Sequence, residues 1–236
     1  MIDRRIALGV LPGLLSVLIL APTSVAAQPG TPPQSSQNWS GYIASDAYYS
    51  GVSALIQTPV ASGRQSSTSA VASWVGIGGT SSADLIQAGV EVDTSGPVAQ
   101  YHAWFETLPQ ASRNVALQVG PGDWVSFDIH ELAFDVWQVT IVDGEQVFQQ
   151  QIPYTSSHSS AEWIVEDPSA ARGLVPLATV TGANFADMMA IANGQSTVPV
   201  QLSPETTILV GANGQVEAAP SALGTDGDSF GVAATV

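Results

Sequence analysis

Leu85-Ile86-Gln87-Ala88-Gly89-Val90-Glu91-Val92 reads as an alternating stretch. Successive side chains of an extended chain point to opposite faces, so Ile86, Ala88, Val90 and Val92 share one side. That set is apolar throughout and belongs in a core, which makes the segment a strand with one buried face. Leu85, Gln87, Gly89 and Glu91 share the other side. Gln87 therefore stands on a polar-bearing face next to Gly89, whose missing side chain leaves room for a substrate backbone.

The same arithmetic works on two further segments. In Ala161-Glu162-Trp163-Ile164-Val165-Glu166-Asp167, the residues Glu162, Ile164 and Glu166 share one face, and Trp163, Val165 and Asp167 the other. In Tyr101-His102-Ala103-Trp104-Phe105-Glu106, the polar side carries His102, Trp104 and Glu106. Two sheets, each with such a face, would leave a cleft lined by Gln, Glu and Trp that suits an extended polymer.

From Asn38 onward, short apolar stretches are separated by Gly, Pro, Ser, Asn and Asp clusters, with almost no helical periodicity. The predicted strands are Asn38–Ala44, Val52–Pro59, Ala70–Ile77, Leu85–Val92, Ala99–Glu106, Trp124–His130, Trp137–Val142, Gln146–Ile152, Ala161–Glu166, Ala178–Thr181, Thr206–Val210 and Val216–Ala218. Asn213-Gly214 between the last two signals a two-residue type I′ hairpin, both of whose central positions need positive φ. The fold class is all-β, an antiparallel two-sheet β-sandwich. Phe185 to Ala192 (FADMMAIA) is the one segment that reads as a helical turn or two, and no internal repeat is found.

Residues 1–27 differ from the rest. Arg4 and Arg5 precede an apolar run and a small-residue end, Val25-Ala26-Ala27, the pattern of a cleaved signal peptide. The run is shorter than the roughly 20 residues of a membrane span. Residues 28–37 (QPGTPPQSSQ) are a Pro/Ser/Gln-rich spacer expected to be disordered, followed by one domain, 38–236. The mature protein is expected to be secreted, extracellular and monomeric, free of the membrane once the leader is cleaved.

The formal net charge of −15 becomes −16 when Asp3, Arg4 and Arg5 leave, and the five arginines, Arg4, Arg5, Arg64, Arg113 and Arg172, leave no lysine in the chain. Such acidity excludes nucleic acid as a partner. Carboxylates that repel one another at neutral pH become neutral in acid, so the composition suits acidic surroundings, although an acidic surface also serves solubility. Cysteine is absent, which excludes disulfides, thiolate zinc sites and a cysteine nucleophile.

Other mechanisms are excluded by what the chain lacks. It carries no G-x-S-x-G elbow and no H-E-x-x-H pair, and His102, His130 and His158 are too scattered for a metal cage. A Ser-His-Asp triad needs a neutral imidazole, which acid would protonate. Asp93-Thr94-Ser95-Gly96 resembles a pepsin-type turn, but its Gly is one place late and no second copy exists, so it reads as a hairpin turn. No metal and no cofactor is expected. A glycoside hydrolase needs two carboxyls about 5–10 Å apart; Glu162 and Glu166 are about 13 Å apart along one strand, whereas Glu166 with Glu106 could satisfy the distance. Sugar chemistry, or a lectin-like carbohydrate-binding sandwich, therefore stays open at this point.

Seven segments in order carry a resemblance: Asn38-Trp39-Ser40-Gly41-Tyr42, Val52-Ser53-Ala54, Trp74-Val75-Gly76-Ile77-Gly78-Gly79, Leu85-Ile86-Gln87-Ala88-Gly89, Ala103-Trp104-Phe105-Glu106, Pro121-Gly122-Asp123 and Ala161 to Asp167. The chain resembles the glutamic peptidases, or eqolisins. The resemblance implies a lectin- or glucanase-like (concanavalin A-like) sandwich and a secreted acid endopeptidase that acts on polypeptides and is insensitive to pepstatin. It places the family's catalytic Gln on Gln87 and its catalytic Glu on Glu166. Glu166 would then deprotonate a water that attacks the scissile carbonyl and return the proton to the leaving amine. Gln87 would hold that water and stabilise the oxyanion. Hydrogen bonds from neighbours can keep a carboxylate ionised in acid, and an amide donates at any pH. Trp39, Trp74, Trp104 and Glu106 match family residues that line or brace the substrate cleft. Two departures bear on subsite preference: Gly78 stands where the family pattern has Asp, and Thr107-Leu108 replaces an aromatic pair. The short leader suggests secretion without a zymogen stage or a prokaryotic relative.

Overall fold

The computed structural model describes residues 32–62, 69–170 and 173–234. The expected signal peptide and the first part of the spacer lie outside the described residues. The first strands are β1 (Gln34–Ser36), β2 (Trp39–Ala44), β3 (Tyr49–Gln57), β4 (Val60–Ser62), β5 (Ala70–Gly78) and β6 (Leu85–Asp93). Then come β7 (Gln100–Thr107), β8 (Arg113–Asn114), β9 (Trp124–Ala133), β10 (Val136–Asp143), β11 (Gln146–Pro153) and β12 (Ala161–Glu166). The chain continues with β13 (Ser169–Ala170), β14 (Gly173–Leu174), β15 (Thr179–Thr181), β16 (Ala183–Ala192) and β17 (Gln195–Thr197). After a 3-10 turn at Pro199–Leu202 it ends with β18 (Glu205–Val210), β19 (Val216–Pro220) and β20 (Phe230–Ala234).

The strands pair antiparallel along one path, β11-β10-β9-β3-β16-β20-β19-β18-β2-β12-β5-β6-β7-β8. The exception in this sheet is β1, which lies parallel to β18. Two separate sheets are expected; the main hydrogen bonding runs as one continuous ribbon, beside two small two-stranded sheets, β13–β14 and β4–β15. Its ends nevertheless face each other, since β5 and β6 touch β3 and β9 without pairing with them. Between them lies the main core, with Ile56, Val75, Ile86, Val90, Phe127, Ile129, Trp137, Trp163 and Phe185 all buried. Ile86, Ala88, Val90 and Val92 fall in this core, as their alternation requires.

Three local readings are corrected. Phe185 to Ala192 is the strand β16, not a helix. Asp187 takes φ 50° and the register shifts between Ala186 and Met189, a bulge that spaces the buried Phe185 and Met188 three apart. That spacing imitates a helical face. Residues 34–36 of the spacer are ordered as β1, because backbone pairing with β18 needs no apolar side chain. At the β18–β19 hairpin, Gly214 alone of the Asn213-Gly214 pair takes positive φ (77°), and its N–H bonds to the Gly211 carbonyl (2.8 Å). The loop is thus the longer kind that ends on a left-handed glycine, not a two-residue type I′ turn.

Candidate active site

Directly opposed residues of an antiparallel sheet share a face. The register across β2, β12, β5, β6 and β7 therefore builds three parallel rows on the side away from the main core. The first is Ile43, Glu162, Gly76, Gln87 and Glu106. The second is Gly41, Ile164, Trp74, Gly89 and Trp104. The third is Trp39, Glu166, Ala72, Glu91 and His102. Ala72, Trp74, Leu85, Trp104 and Ile164 make a second apolar cluster on this face, flanked by Trp39, Ile43 and Leu108.

The chemistry concentrates in the first row. Glu162 and Gln87 flank Gly76, so their α-carbons are two strand spacings apart, about 10 Å. With no side chain at Gly76, the two can converge above it. A Cβ built at Gly76 would lie 3.2 Å from Glu162 Oε2, which shows that the carboxyl already leans over the glycine. Gln87 Nε2 donates to Glu106 Oε2 (2.5 Å), which fixes the amide and leaves one Nε2 hydrogen and Oε1 for other partners. Gln87 Oε1, both Glu162 carboxyl oxygens and Trp104 Nε1 are buried without a hydrogen-bond partner. Buried polar groups are nearly always paired, and each unpaired one costs about 1–3 kcal/mol, so an unpaired set gathered on one face marks a place made to bind something.

Electrostatics reinforces this. Glu162 is fully buried, and burial pushes its carboxyl well above the ordinary range, opposed only in part by the nearby Ser160. Burial also raises Glu106, opposed by the Gln87 amide and the Ser112 backbone. Asp84 goes the other way: although burial would raise it, hydrogen bonds from Ser82, Ser157 and Ser156 outweigh burial and lower it. A base held ionised by neighbouring donors was expected. Burial instead raises the central carboxyl.

Glu166 does not meet Gln87. It lies two rows away, about 13 Å along the strand and two strands across. Its oxygens are taken: Trp74 Nε1 donates to Oε2 (2.7 Å) and Asn38 Nδ2 to Oε1 (3.1 Å). Burial lifts it from 4.5 to about 7 against the opposing donors Trp74, Asn38 and Trp39. The sequence reading places the water-activating carboxylate on Glu166; the register sets Glu162, not Glu166, across Gly76 from Gln87. Both glutamates lie on the same face of one strand, and their spacing alone does not separate them. Gly76 leaves a gap only at its own row, and the register that sets it between Glu162 and Gln87 is not written in either segment.

Among the remaining expected residues, Glu106 adjoins Gln87. Trp74 is wholly buried and packs edge-on against Trp39, ring centroids 5.1 Å apart at 77°. Trp104 opposes Gly89. Gly89 does not admit a substrate backbone, because a Cβ there would meet Ser73 O at 2.2 Å and Trp74 Cβ at 2.5 Å. Its empty space is filled by the neighbouring strand.

A family model described as the peptidase A4 family matches residues 37–229. The chain belongs to the peptidase A4 family. This is the glutamic peptidase, or eqolisin, grouping that its motifs resemble. Aspergillopepsin-2 of Aspergillus niger is 26% identical over 144 residues, 58% of this chain and 51% of that protein. Scytalidopepsin B of Scytalidium lignicola is 27% identical over 174 residues, 67% of this chain and 65% of that protein. The matched stretch thus spans about half to two thirds of these relatives. Among solved structures, scytalido-glutamic peptidase with a transition state analogue inhibitor superposes with a TM-score of 0.72 at 23% identity, covering 84% of this chain and 98% of that one. The aspergilloglutamic peptidase of Aspergillus niger gives 0.63 at 22% identity over 71% and 99%. The A4 chain shares their all-β, antiparallel fold.

Proposed function

We propose that this A4-family chain is an acid endopeptidase in which Glu162 and Gln87 activate one water across Gly76. The observation that carries the reading is the first row: two polar side chains, both with unpaired buried atoms, facing each other over a residue without a side chain. Glu162, when ionised, takes a proton from the water and later gives it to the leaving amine. Gln87 Oε1 accepts the water's second hydrogen, and the free Nε2 hydrogen donates to the oxyanion. Glu106 holds the amide in that orientation. A carboxyl raised by burial is a stronger base once ionised and a ready acid afterwards, as both halves of the reaction require.

The substrate is a polypeptide chain lying over the Trp39, Trp74 and Trp104 face. The fold closes as a curved sandwich, the two halves of the ribbon enclosing the main core. Residues 1–27 act as a leader, and the mature chain works outside the cytoplasm, without pepstatin sensitivity. The test is hydrolysis of a denatured protein from pH 2 to 7, with and without pepstatin, by the wild type and by Glu162→Gln, Gln87→Ala and Glu166→Gln. Loss of activity in the first two and its retention in the third supports the reading. An active Glu162→Gln variant overturns it.

A further inference from the structure

Asp84 sits in the turn between β5 and β6, three residues before Gln87. Its Oδ2 accepts the Ser157 backbone N–H (2.7 Å) and the Ser156 hydroxyl (3.2 Å). It lies against Gly78, where an added Cβ would be 2.8 Å from Asp84 Oδ2 and 2.7 Å from the Asp84 carbonyl oxygen. Gly78 also takes φ 89°, so a side chain is excluded there twice over.

The segment that Asp84 grips leads straight into β12. Ser160 accepts the Gly78 N–H through its carbonyl (3.1 Å) and the Thr80 hydroxyl through Oγ (2.9 Å), and it precedes Glu162 by two residues on the same face. On its far side the segment is fastened by His158, whose carbonyl accepts the Tyr49 N–H (3.0 Å) and whose ring meets Glu131 (3.2 Å) and stacks on Tyr48. Asp84 is thus one of two clamps on a short stretch that aims Glu162.

We propose that Asp84 is a positioning residue for Glu162, holding the Ser156–Ser160 segment in place and setting a fixed negative charge beside the carboxyl that activates water. This rests on the function proposed above. Donors to Asp84 lower its carboxyl while burial raises that of Glu162, and the Asp84 charge adds to the latter. Carboxyls whose surroundings push them apart in this way divide fixed-charge and proton-transfer roles. The other titratable groups around Glu162 are Tyr49, with Asp46 beside it, Tyr154 next to Asp84 and Glu106, and Glu106 itself beyond Gln87. None of these grips the Ser156–Ser160 segment through its side chain.

The experiment is the pH dependence of kcat and KM for a peptide substrate with the full chain, comparing wild type, Asp84→Asn and Glu162→Gln, beside a thermal melt. Removing the charge lowers the pKa of Glu162, so the acid limb of kcat/KM for Asp84→Asn moves to lower pH by about half to one unit, and kcat falls several-fold with KM nearly unchanged. Should Asn at position 84 prevent folding, Asp84→Ser keeps an oxygen for the Ser157 N–H and reads the same shift. A folded charge-removed variant with the wild-type limb, or one whose loss lies wholly in KM, overturns the role. An inactive Glu162→Gln with an unshifted Asp84→Asn sinks this inference alone; an active Glu162→Gln sinks the function beneath it.

Discussion

Replacing Glu166 by Gln should make the protein's stability less dependent on pH. In the native chain Glu166 rises from 4.5 to about 7 because burial outweighs the Trp74, Asn38 and Trp39 donors. A carboxyl raised on folding binds more protons folded than unfolded between those two values. Its contribution is therefore complete below about pH 4.5 and is lost as pH climbs toward 7. A shift of 2.5 units, from 4.5 to about 7, corresponds to about 3 kcal/mol, and the residue's partial exposure makes this an upper value. The neutral amide cannot ionise, so Glu166→Gln should lack that decline. One amide oxygen can still accept from Trp74 Nε1, whose bond to Oε2 is the shorter of the two at 2.7 Å. Urea unfolding at pH 4.0 and pH 7.5 measures the effect. The drop in unfolding free energy between the two should be smaller in the variant by about 2–3 kcal/mol, equivalent to about 4–12 °C in Tm. An equal drop in both proteins, or a larger one in the variant, would mean that the indole and amide donors outweigh burial and that the reasoning is wrong.

The two glycines on the site face should respond differently to alanine. At Gly76 the new Cβ meets only side-chain ends, Trp74 Cζ3 at 2.9 Å, Leu85 Cδ1 at 3.0 Å and Glu162 Oε2 at 3.2 Å, so the fold should survive at about 1–3 kcal/mol while peptide hydrolysis falls more than about 100-fold. At Gly89 it meets backbone, Ser73 O at 2.2 Å and Trp74 Cα at 2.8 Å, and chemical denaturation should show a loss above about 3 kcal/mol or no folded protein. Glu106→Gln exchanges the carboxyl acceptor of Gln87 Nε2 for an amide, and kcat should fall about 10- to 100-fold with the melt little changed. Tyr154→Phe removes the hydroxyl that accepts the Leu85 N–H (2.7 Å) and donates to Leu108 O (3.0 Å), and should cost about 1–3 kcal/mol in a urea melt.

Period-two alternation was enough to find the strands that build the site. Ala161–Glu166 was read to its exact ends, and Leu85–Val92 and Ala70–Ile77 to within one residue of β6 and β5. Alternation works there because one face packs on a continuous apolar core. It failed at β16, where the bulge at Asp187 breaks the period, and at β1, whose QSS sequence makes its case through backbone pairing alone. Pairing order was also hidden. β12 reaches β5 across 82 residues of intervening chain, between Gly78 and Ala161, and nothing local in either segment names its partner. Register is the quantity that decides which of two glutamates on one face stands beside Gln87. The sequence puts Glu162 and Glu166 on equal terms; the opposition of Glu162 to Gly76 is a property of the sheet.

The acidity of the chain and the burial of its carboxyls act in the same direction. Glu162, Glu106, Glu166 and Asp167 are all raised chiefly by burial, the last two to about 7. The charge count adds repulsion among acids, 20 of them against five arginines. Above about pH 5, then, each raised carboxyl either keeps a proton that the unfolded chain would release or ionises in a place that does not solvate it, and both lower stability. Because β12 carries Glu162 in a buried strand flanked by β2 and β5, loosening this region would take the Glu162–Gly76–Gln87 row apart. The same desolvation that raises Glu162 and its neighbours thus favours the assembled face at low pH. Stability of this face should therefore fall between acid and neutral pH, which urea melts across that range measure.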